Sequence, residues 1–205
     1  MPEPLKKSEV EASTDPTILK QYDTTTPLPE QIKDFYSTID NLYIGLLTTT
    51  RPSLGPVGRS MAIAQRVGPD FLFLANANSQ KFRDLEHDKT AQLSFQNSTT
   101  QDWVSVTGKA VTTSNTDKPI KELYNDSIKA WFGDLGDGKH DGGPDDPRMA
   151  LIEVKAEYVV YWKSLVDEKG FKEEVNKAKE RGEVAQNGVT REFKKDVVEK
   201  LRKDA

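Results

Sequence analysis

The chain has 205 residues, of which 30% are charged and 35% hydrophobic, and its formal net charge is -4. This length suits one domain with a full core and some extensions. The negative charge disfavours a nucleic-acid-binding role, which requires a basic surface. Because the sequence has no cysteine, it excludes disulfides, thiolate metal sites and thiol nucleophiles.

Targeting signals are not evident in the sequence. The first residues, 1–7, lack the apolar core of a signal peptide. No apolar run approaches the roughly 20 residues that a membrane-spanning helix needs. We therefore expect a cytoplasmic protein without a membrane segment.

Composition divides the chain into three parts. Residues 1–26 are polar and rich in proline and threonine, which predicts a flexible arm. Residues 167–205 are rich in lysine and glutamate with sparse apolar positions, which predicts one or two solvated helices broken near 187–188. The folded domain is therefore expected over residues 27–166.

Within this domain the pattern is mainly that of strands. Six segments show apolar alternation or β-rich apolar runs bounded by turn residues. They are 42–50, 60–67, 71–76, 91–96, 103–113 and 149–162. The sequence Val67-Gly68-Pro69-Asp70 predicts a tight turn that makes the second and third strands an antiparallel hairpin. Helices are expected over 32–39, after the third strand and around 117–124, so the pattern predicts an antiparallel barrel or sandwich with peripheral helices.

The segment 76–81, Asn-Ala-Asn-Ser-Gln-Lys, joins the third predicted strand to a helix. The first amide hydrogens of a helix lack intrahelical partners, and the helix dipole is positive there. With the hydroxyl of Ser79 and the ammonium of Lys81 added, the segment predicts a phosphate pocket. The alternative interpretation is that Ser79 is an ordinary N-cap.

Arg59 lies near the start of the second predicted strand, within Gly58-Arg59-Ser60-Met61-Ala62. Across the predicted hairpin it can reach the same pocket, where its planar fork suits phosphate oxygens. The alternative is a solvated arginine at the end of a strand.

Aromatic residues mark two further segments. Trp103 begins the alternating strand 103–110, where Gly108 indicates a bulge or a close approach by a ligand or another backbone. Trp103 suits an aromatic ligand or, alternatively, a core or interface contact. Trp131 and Phe132 open a glycine-rich acidic loop, which favours a lid or a dimer contact.

Histidines offer little for catalysis or metal binding. His87 and His140 are the only two in the chain, and neither has a serine or metal-ligand partner in the sequence pattern. The sequence therefore predicts neither a hydrolytic triad nor a metal site.

Taken together, these motifs resemble the flavin-binding split-barrel superfamily that includes the pyridoxamine-phosphate oxidases. Within it, the chain is most similar to the bacterial general stress proteins and the fungal blue-light-inducible proteins. The segments that carry the resemblance are 58–62, 73–76, 79–82, 84–86, 103–108 and 131–148. The stretch 132–138 is especially similar to the fungal group.

The resemblance implies a six-stranded antiparallel split β-barrel that forms a homodimer with FMN at each of two interface sites. By this analogy, Arg59, Ser79 and Lys81 bind the flavin phosphate. The other residues that the analogy places in the site are Ser60, Met61 and Asn76 along the ring or ribityl chain, Trp103 near the ring, and Trp131 and Phe132 contributed across the dimer.

One departure from the family bears on function. Pyridoxamine-phosphate oxidases carry a C-terminal motif with arginine and histidine that binds substrate, whereas here Tyr161-Trp162 leads into lysine- and glutamate-rich sequence. That activity is therefore not expected. The resemblance instead implies an FMN-dependent oxidoreductase of stress or redox response, with NAD(P)H or a small molecule as redox partner.

Three alternatives stay open at this point. The first is a flavin-binding sensor, buffer or scavenger without turnover. The second is a barrel that has lost its flavin, which the retained Arg59, Ser79 and Lys81 disfavour because an empty phosphate pocket would crowd two cations. The third is that another phosphorylated ligand or a tetrapyrrole replaces FMN.

Overall fold

The computed structural model describes residues 15–114 and 118–205. These residues contain seven helices and eight strands. In chain order the elements are α1 (Pro16–Gln21), α2 (Leu28–Ile39), β1 (Ile44–Arg51), β2 (Gly55–Ala62), β3 (Gln65–Val67), β4 (Asp70–Asn76), α3 (Gln80–His87), β5 (Thr90–Gln96), β6 (Trp103–Ser114), α4 (Lys118–Leu123), α5 (Asp126–Lys129), β7 (Met149–Ser164), α6 (Glu168–Arg181), β8 (Gly188–Phe193) and α7 (Lys195–Lys203). No helix among the described residues is long and apolar enough to cross a membrane.

All eight strands belong to one sheet. Its order is β2-β1-β5-β6-β7-β4-β3, and β8 pairs with β7. Antiparallel registers join β1 to β2 and β5, and β4 to β3 and β7. The predicted mainly β fold with peripheral helices is confirmed, but the predicted count of six strands is wrong.

One extra strand arises where the second predicted strand, 60–67, divides. The backbone N–H of Ile63 donates to Tyr43 O at 3.0 Å, and that of Ala64 donates to Leu72 O at 2.8 Å. Of these two successive residues, Ile63 thus bonds to the residue before β1 and Ala64 bonds to β4. The change of partner ends β2 before β3 begins. The hairpin that was predicted at 67–70 is confirmed, and it joins β3 to β4.

The other extra strand, β8, lies in the segment that was predicted as solvated helices. Its two flanking helices form as expected, with α6 capped by Asp167 and ended at Gly182, whose φ is +66°. Between them, β8 pairs with β7, and Phe193 has no exposed surface. The segment therefore contributes to the sheet as well as to the surface.

The chain forms two compact units, and the first contains the described residues of 1–42 together with 96–104 and 160–192. In this unit Tyr22 forms a parallel bridge with Thr190, and the buried Arg191 donates to Asp23 at 2.7 Å and to Asp34 at 2.5 Å. Residues 15–26 are thus anchored, which differs from the flexible arm that was predicted. Residues 1–14 of that arm lie outside the described residues.

The second unit contains residues 43–95, 105–159 and 193–205. Its core is built from the inward rows of the strands, and the rings of Phe71 and Phe95 lie 5.2 Å apart. The fully buried side chains of this core include Leu47, Phe71, Phe73, Leu93, Val106 and Ile152. A Cβ at Gly108 would lie 2.0 Å from Lys155 O, so glycine here permits the close approach of another backbone.

Candidate functional site

The β4–α3 turn, residues 76–79, is fixed by its own polar groups. Asn76 Oδ1 accepts from the N–H of Asn78 at 2.9 Å, and the Asn76 carbonyl accepts from the Ser79 hydroxyl at 2.6 Å. Ser79 occupies the N-cap position of α3, but its side chain makes no hydrogen bond to a first-turn amide. The ordinary side-chain cap is therefore not formed, and the hydroxyl is used elsewhere.

Lys81 is the partner of that hydroxyl. Its Nζ donates to Ser79 Oγ at 2.8 Å, and within the described part of the chain it forms no ion pair with a carboxylate. Burial, and then the nearby charge of Arg59, lower the pKa of Lys81. A half-buried ammonium held only by a neutral hydroxyl has the charge and the free donors to bind an anion.

Arg59 lies near this lysine, and together with Arg51 it binds a buried carboxylate that sequence reasoning did not assign to the site. Asp84 of α3 has no exposed surface and accepts two hydrogen bonds from Arg51, at 3.2 and 3.3 Å. It also accepts from Arg59 Nη2 at 3.1 Å and from Thr49 Oγ1 at 2.8 Å. Burial raises the pKa of Asp84, but the hydrogen bonds, led by that from Arg51, outweigh it and bring the value to about 2.

Arg59 reaches the site by a route other than the predicted one. It lies on β2, where it pairs with Leu47 of β1, and not on a strand that pairs with β4. Its Nη1 donates to Thr49 Oγ1 at 2.6 Å, and only 20% of its side chain is exposed. The predicted position across the hairpin is therefore wrong, but the arginine still lies close enough to Lys81 to lower its pKa.

The charges of this group determine what it can bind. Arg51, Arg59 and Lys81 are three cations, and Asp84 is the carboxylate that the two arginines bind. We call these four residues the cationic cluster. It retains two positive charges within a chain whose net charge is -4. A phosphate monoester carries close to two negative charges at neutral pH and would balance them.

The remaining predicted residues of β2 and β6 occupy different positions. Met61 is half-buried and lies on the same face of β2 as Arg59, since alternate residues share a face. Ser60 is exposed on the opposite face, where it pairs with Leu46. Trp103 is the first residue of β6, with 36% of its surface exposed.

Trp131 and Phe132, although adjacent, have different surroundings. Trp131 is 84% exposed. Phe132 packs against a buried cluster formed by Ile120, Met149 and Leu151. The contribution of Trp131 and Phe132 across a dimer stays a prediction, with the Phe132 ring half-buried in its own chain and the Trp131 indole exposed.

Sequence reasoning missed Arg51, Thr49 and the role of Asp84, although signals existed for Thr49 and Asp84. Thr49 continues the inward row of β1 that includes Gly45 and Leu47, so its buried hydroxyl needs a partner. Asp84 lies between the buried Phe82 and Leu85 on α3. A carboxylate on such a face is rarely buried without a cation.

Two comparisons with known proteins show which sequences this chain is similar to. The model of the pyridoxamine 5'-phosphate oxidase like family matches residues 30–185. Protein bli-3 of Neurospora crassa is 42% identical over 158 residues, which are 74% of this chain and 75% of that protein.

Solved structures share the fold at low sequence identity. A Clostridium acetobutylicum protein related to general stress protein 26 has a TM-score of 0.57 and 16% identity, covering 82% of this chain and 97% of its own. General stress protein 26 of Bacillus anthracis has a TM-score of 0.53 and 20% identity, with coverages of 64% and 93%. A pyridoxamine 5'-phosphate oxidase-related, FMN binding protein of Nostoc punctiforme has a TM-score of 0.53 and 16% identity, with coverages of 68% and 85%.

Proposed function

This chain belongs to the pyridoxamine 5'-phosphate oxidase-like family, and we propose that it binds FMN and acts as a flavin-dependent oxidoreductase in a stress or redox response. The observation that carries the proposal is the ammonium of Lys81, half-buried beside Ser79 without a carboxylate partner among the described residues. Together with Arg59 and Arg51, it provides the charge that a flavin phosphate needs.

The other residues divide between the ribityl chain and the ring. Asn76 lies in the same turn as Ser79, and Met61 shares a strand face with Arg59, so both suit the flavin beyond its phosphate. We assign Trp131 to the ring and Ser60 to the edge of the site. Bound FMN would itself supply hydride and electron transfer, so the protein requires no acid–base triad. NAD(P)H or another small molecule would serve as redox partner.

A second function is a flavin-binding sensor, buffer or scavenger without turnover, which would use the same phosphate site. Asp84, the carboxylate of the cationic cluster, is held ionised by two arginines with a pKa of about 2, so it orders the site in either function. Anaerobic reduction of the FMN-loaded protein by NADH or NADPH, followed by timed reoxidation, separates the two functions, because only an enzyme turns over.

The binding proposal is tested by titrating FMN and riboflavin into the same variants. Lys81→Ala should raise the Kd for FMN roughly ten- to a hundredfold, since a charge-assisted hydrogen bond contributes about 1.5–3 kcal/mol. Riboflavin has no phosphate, so its Kd should not change. Arg83→Ala, which removes an exposed cation from the same helix, is the matched control and should bind both as the native chain does.

The strongest contrary result would come from the pair of variants. If Arg59→Ala combined with Lys81→Ala binds FMN as tightly as the native chain, the phosphate lies elsewhere. Absence of FMN binding by the native chain would overturn the proposed function itself.

A further inference from the structure

The acidic loop, residues 130–148, is held at its end by a buried ion pair. Asp146 has no exposed surface and accepts from the backbone N–H of Gly142 at 2.7 Å. Arg148 Nε and Nη2 donate to the same carboxylate at 3.0 and 2.7 Å. The hydrogen bond from the Arg148 side chain has the largest effect and lowers the pKa of Asp146 to about 2. The pair is therefore ionised at physiological pH.

The same guanidinium also fixes the start of this loop. Arg148 Nη1 donates to the carbonyl of Phe132 at 2.9 Å, and Nη2 donates to that of Gly133 at 2.8 Å. It lies 5.7 Å from the centroid of the Phe132 ring, within cation–π range. One arginine can hold a carboxylate and two carbonyls because its donors form a rigid planar fork, which lysine lacks.

Arg148 also connects the acidic loop to the β4–α3 turn. Its backbone carbonyl accepts from the N–H of Ala77 at 2.8 Å. The next residue, Met149, pairs with Asn76 in the register of β4 with β7. The residue that fixes Phe132 and Gly133 is thus bonded directly to the turn that carries Ser79.

The hydrogen bonds from Arg148 fix the backbone next to Trp131. Trp131 directly precedes the carbonyls that Arg148 holds, and 84% of its surface is exposed. An exposed indole gains little from stacking on a ligand if the loop beneath it must first be ordered, because that ordering costs entropy. A loop already fixed by Arg148 avoids this loss.

We propose that Arg148 is a positioning residue, which holds the indole of Trp131 for contact with the flavin ring. This inference rests on the proposed binding of FMN. Arg148 itself does not touch the flavin in this scheme; it acts through the backbone of Phe132 and Gly133. The contribution of one aromatic contact corresponds to about a two- to tenfold change in Kd.

The test compares FMN binding by Trp131→Leu, Arg148→Lys and the double variant with binding by the native chain. Lysine keeps a positive charge beside Asp146 but cannot keep both carbonyl bonds. Each single variant should raise the Kd for FMN about two- to tenfold. Each should also raise the fluorescence of the bound flavin, because a stacked indole quenches it. The double variant should match Trp131→Leu alone, since both changes remove one contact.

Arg83→Lys is the matched control, because Arg83 is an exposed arginine on α3, and it should leave both readouts unchanged. Additive losses in the double variant would overturn the proposal, because Arg148 would then act on the flavin by another route. Native affinity and fluorescence in either single variant would overturn it too. These results presuppose that the native chain binds FMN, so they leave the proposed function standing, whereas a native chain that binds no FMN would overturn both.

Discussion

At the scale of single residues, Asp84 links stability to the site. Its carboxylate is buried under Arg51, Arg59 and Thr49, so removing its charge leaves two partly buried guanidinium groups without a counter-ion. We expect Asp84→Asn to lower the free energy of unfolding by about 3 kcal/mol, the cost of breaking a largely buried ion pair. Urea unfolding of the variant and the native chain measures this change in the free energy of unfolding. Glu86→Gln, a carboxylate-to-amide change at an exposed position of the same helix, should change stability by less than about 0.5 kcal/mol.

The pH dependence of stability gives a second prediction for Asp84. Its pKa is about 2 in the folded chain and near the ordinary aspartate value of 3.8 when unfolded, so the unfolded state binds its proton first as pH falls. The stabilisation is therefore complete above about pH 4 and is lost as pH falls toward about 2. Asp84→Asn should lack this part of the acid-unfolding profile. An unchanged difference in stability between native chain and variant over that range would contradict the assignment.

The sequence predicted those residues of the site that lie close together along the chain and missed those that lie far apart. Ser79 and Lys81 could be predicted because both lie in the short strand-to-helix segment 76–81, where neighbouring residues indicate the start of the helix. Arg51 and Asp84 are 33 positions apart, and nothing local in the sequence indicates that they form an ion pair. Arg59 was assigned to the site on its chemistry, but its strand partner was wrong because pairing depends on the whole sheet.

At the scale of elements, the strongly periodic segments were predictable and the short ones were not. The helix expected over 32–39 forms within α2, and the hairpin at 67–70 forms because glycine and proline dictate the turn. β8 was not predictable, because its six residues, Gly188–Phe193, carry too few apolar positions to show a period. Its strand conformation depends on pairing with β7, a contact made over a long sequence separation.

The contribution of the last helix, α7, to stability is visible in its contacts and not in its sequence. Its Val198 and Leu201 are buried, and Arg202 donates to the buried Asp70 at 2.6 and 2.9 Å. We expect Arg202→Met to destabilise the chain by about 2 kcal/mol, because it leaves Asp70 with fewer partners. Lys203→Met, at an exposed position of the same helix, is the control in thermal unfolding. Equal Tm values for the two variants would show that the ion pair contributes nothing.

The ion pair between Arg202 and Asp70 also bears on the predicted division of the chain into an arm, a domain and a tail. A chain limited to residues 27–166 would lack α7 and the partner of Asp70. It would lack Arg191 and Asp23 as well, which bind each other at 2.7 Å. The structure therefore argues against treating residues 167–205 as a dispensable tail, and we expect the shortened chain to unfold at a lower temperature than the full chain.

At the scale of the whole molecule, the outward face of β1 and β2 supports the proposed homodimer. Ile44 is 62% exposed and Leu46 is 46% exposed, and they pair across the strands with Ala62 and Ser60. Adjacent exposed apolar side chains on one sheet face are typical of a surface that another protein covers. Ser60, which the resemblance places in the flavin site, lies on this same face. A dimer formed here would therefore cover Ser60, on the face of β2 opposite Arg59.

This geometry predicts that Leu46→Glu prevents dimerisation, because it places a charge on the apolar face that the second chain would cover. Light scattering should give twice the 23.0 kDa chain mass for the FMN-loaded native protein and the single mass for the variant. If the flavin site is shared between subunits, the monomeric variant should also bind FMN more weakly than the native dimer, although Leu46 forms no part of the cationic cluster. Val175→Glu, at an apolar position of α6 that is 41% exposed, controls for the added charge and should stay dimeric with native affinity. A monomeric native protein that binds FMN tightly would contradict the shared site while leaving the phosphate pocket of Ser79 and Lys81 intact.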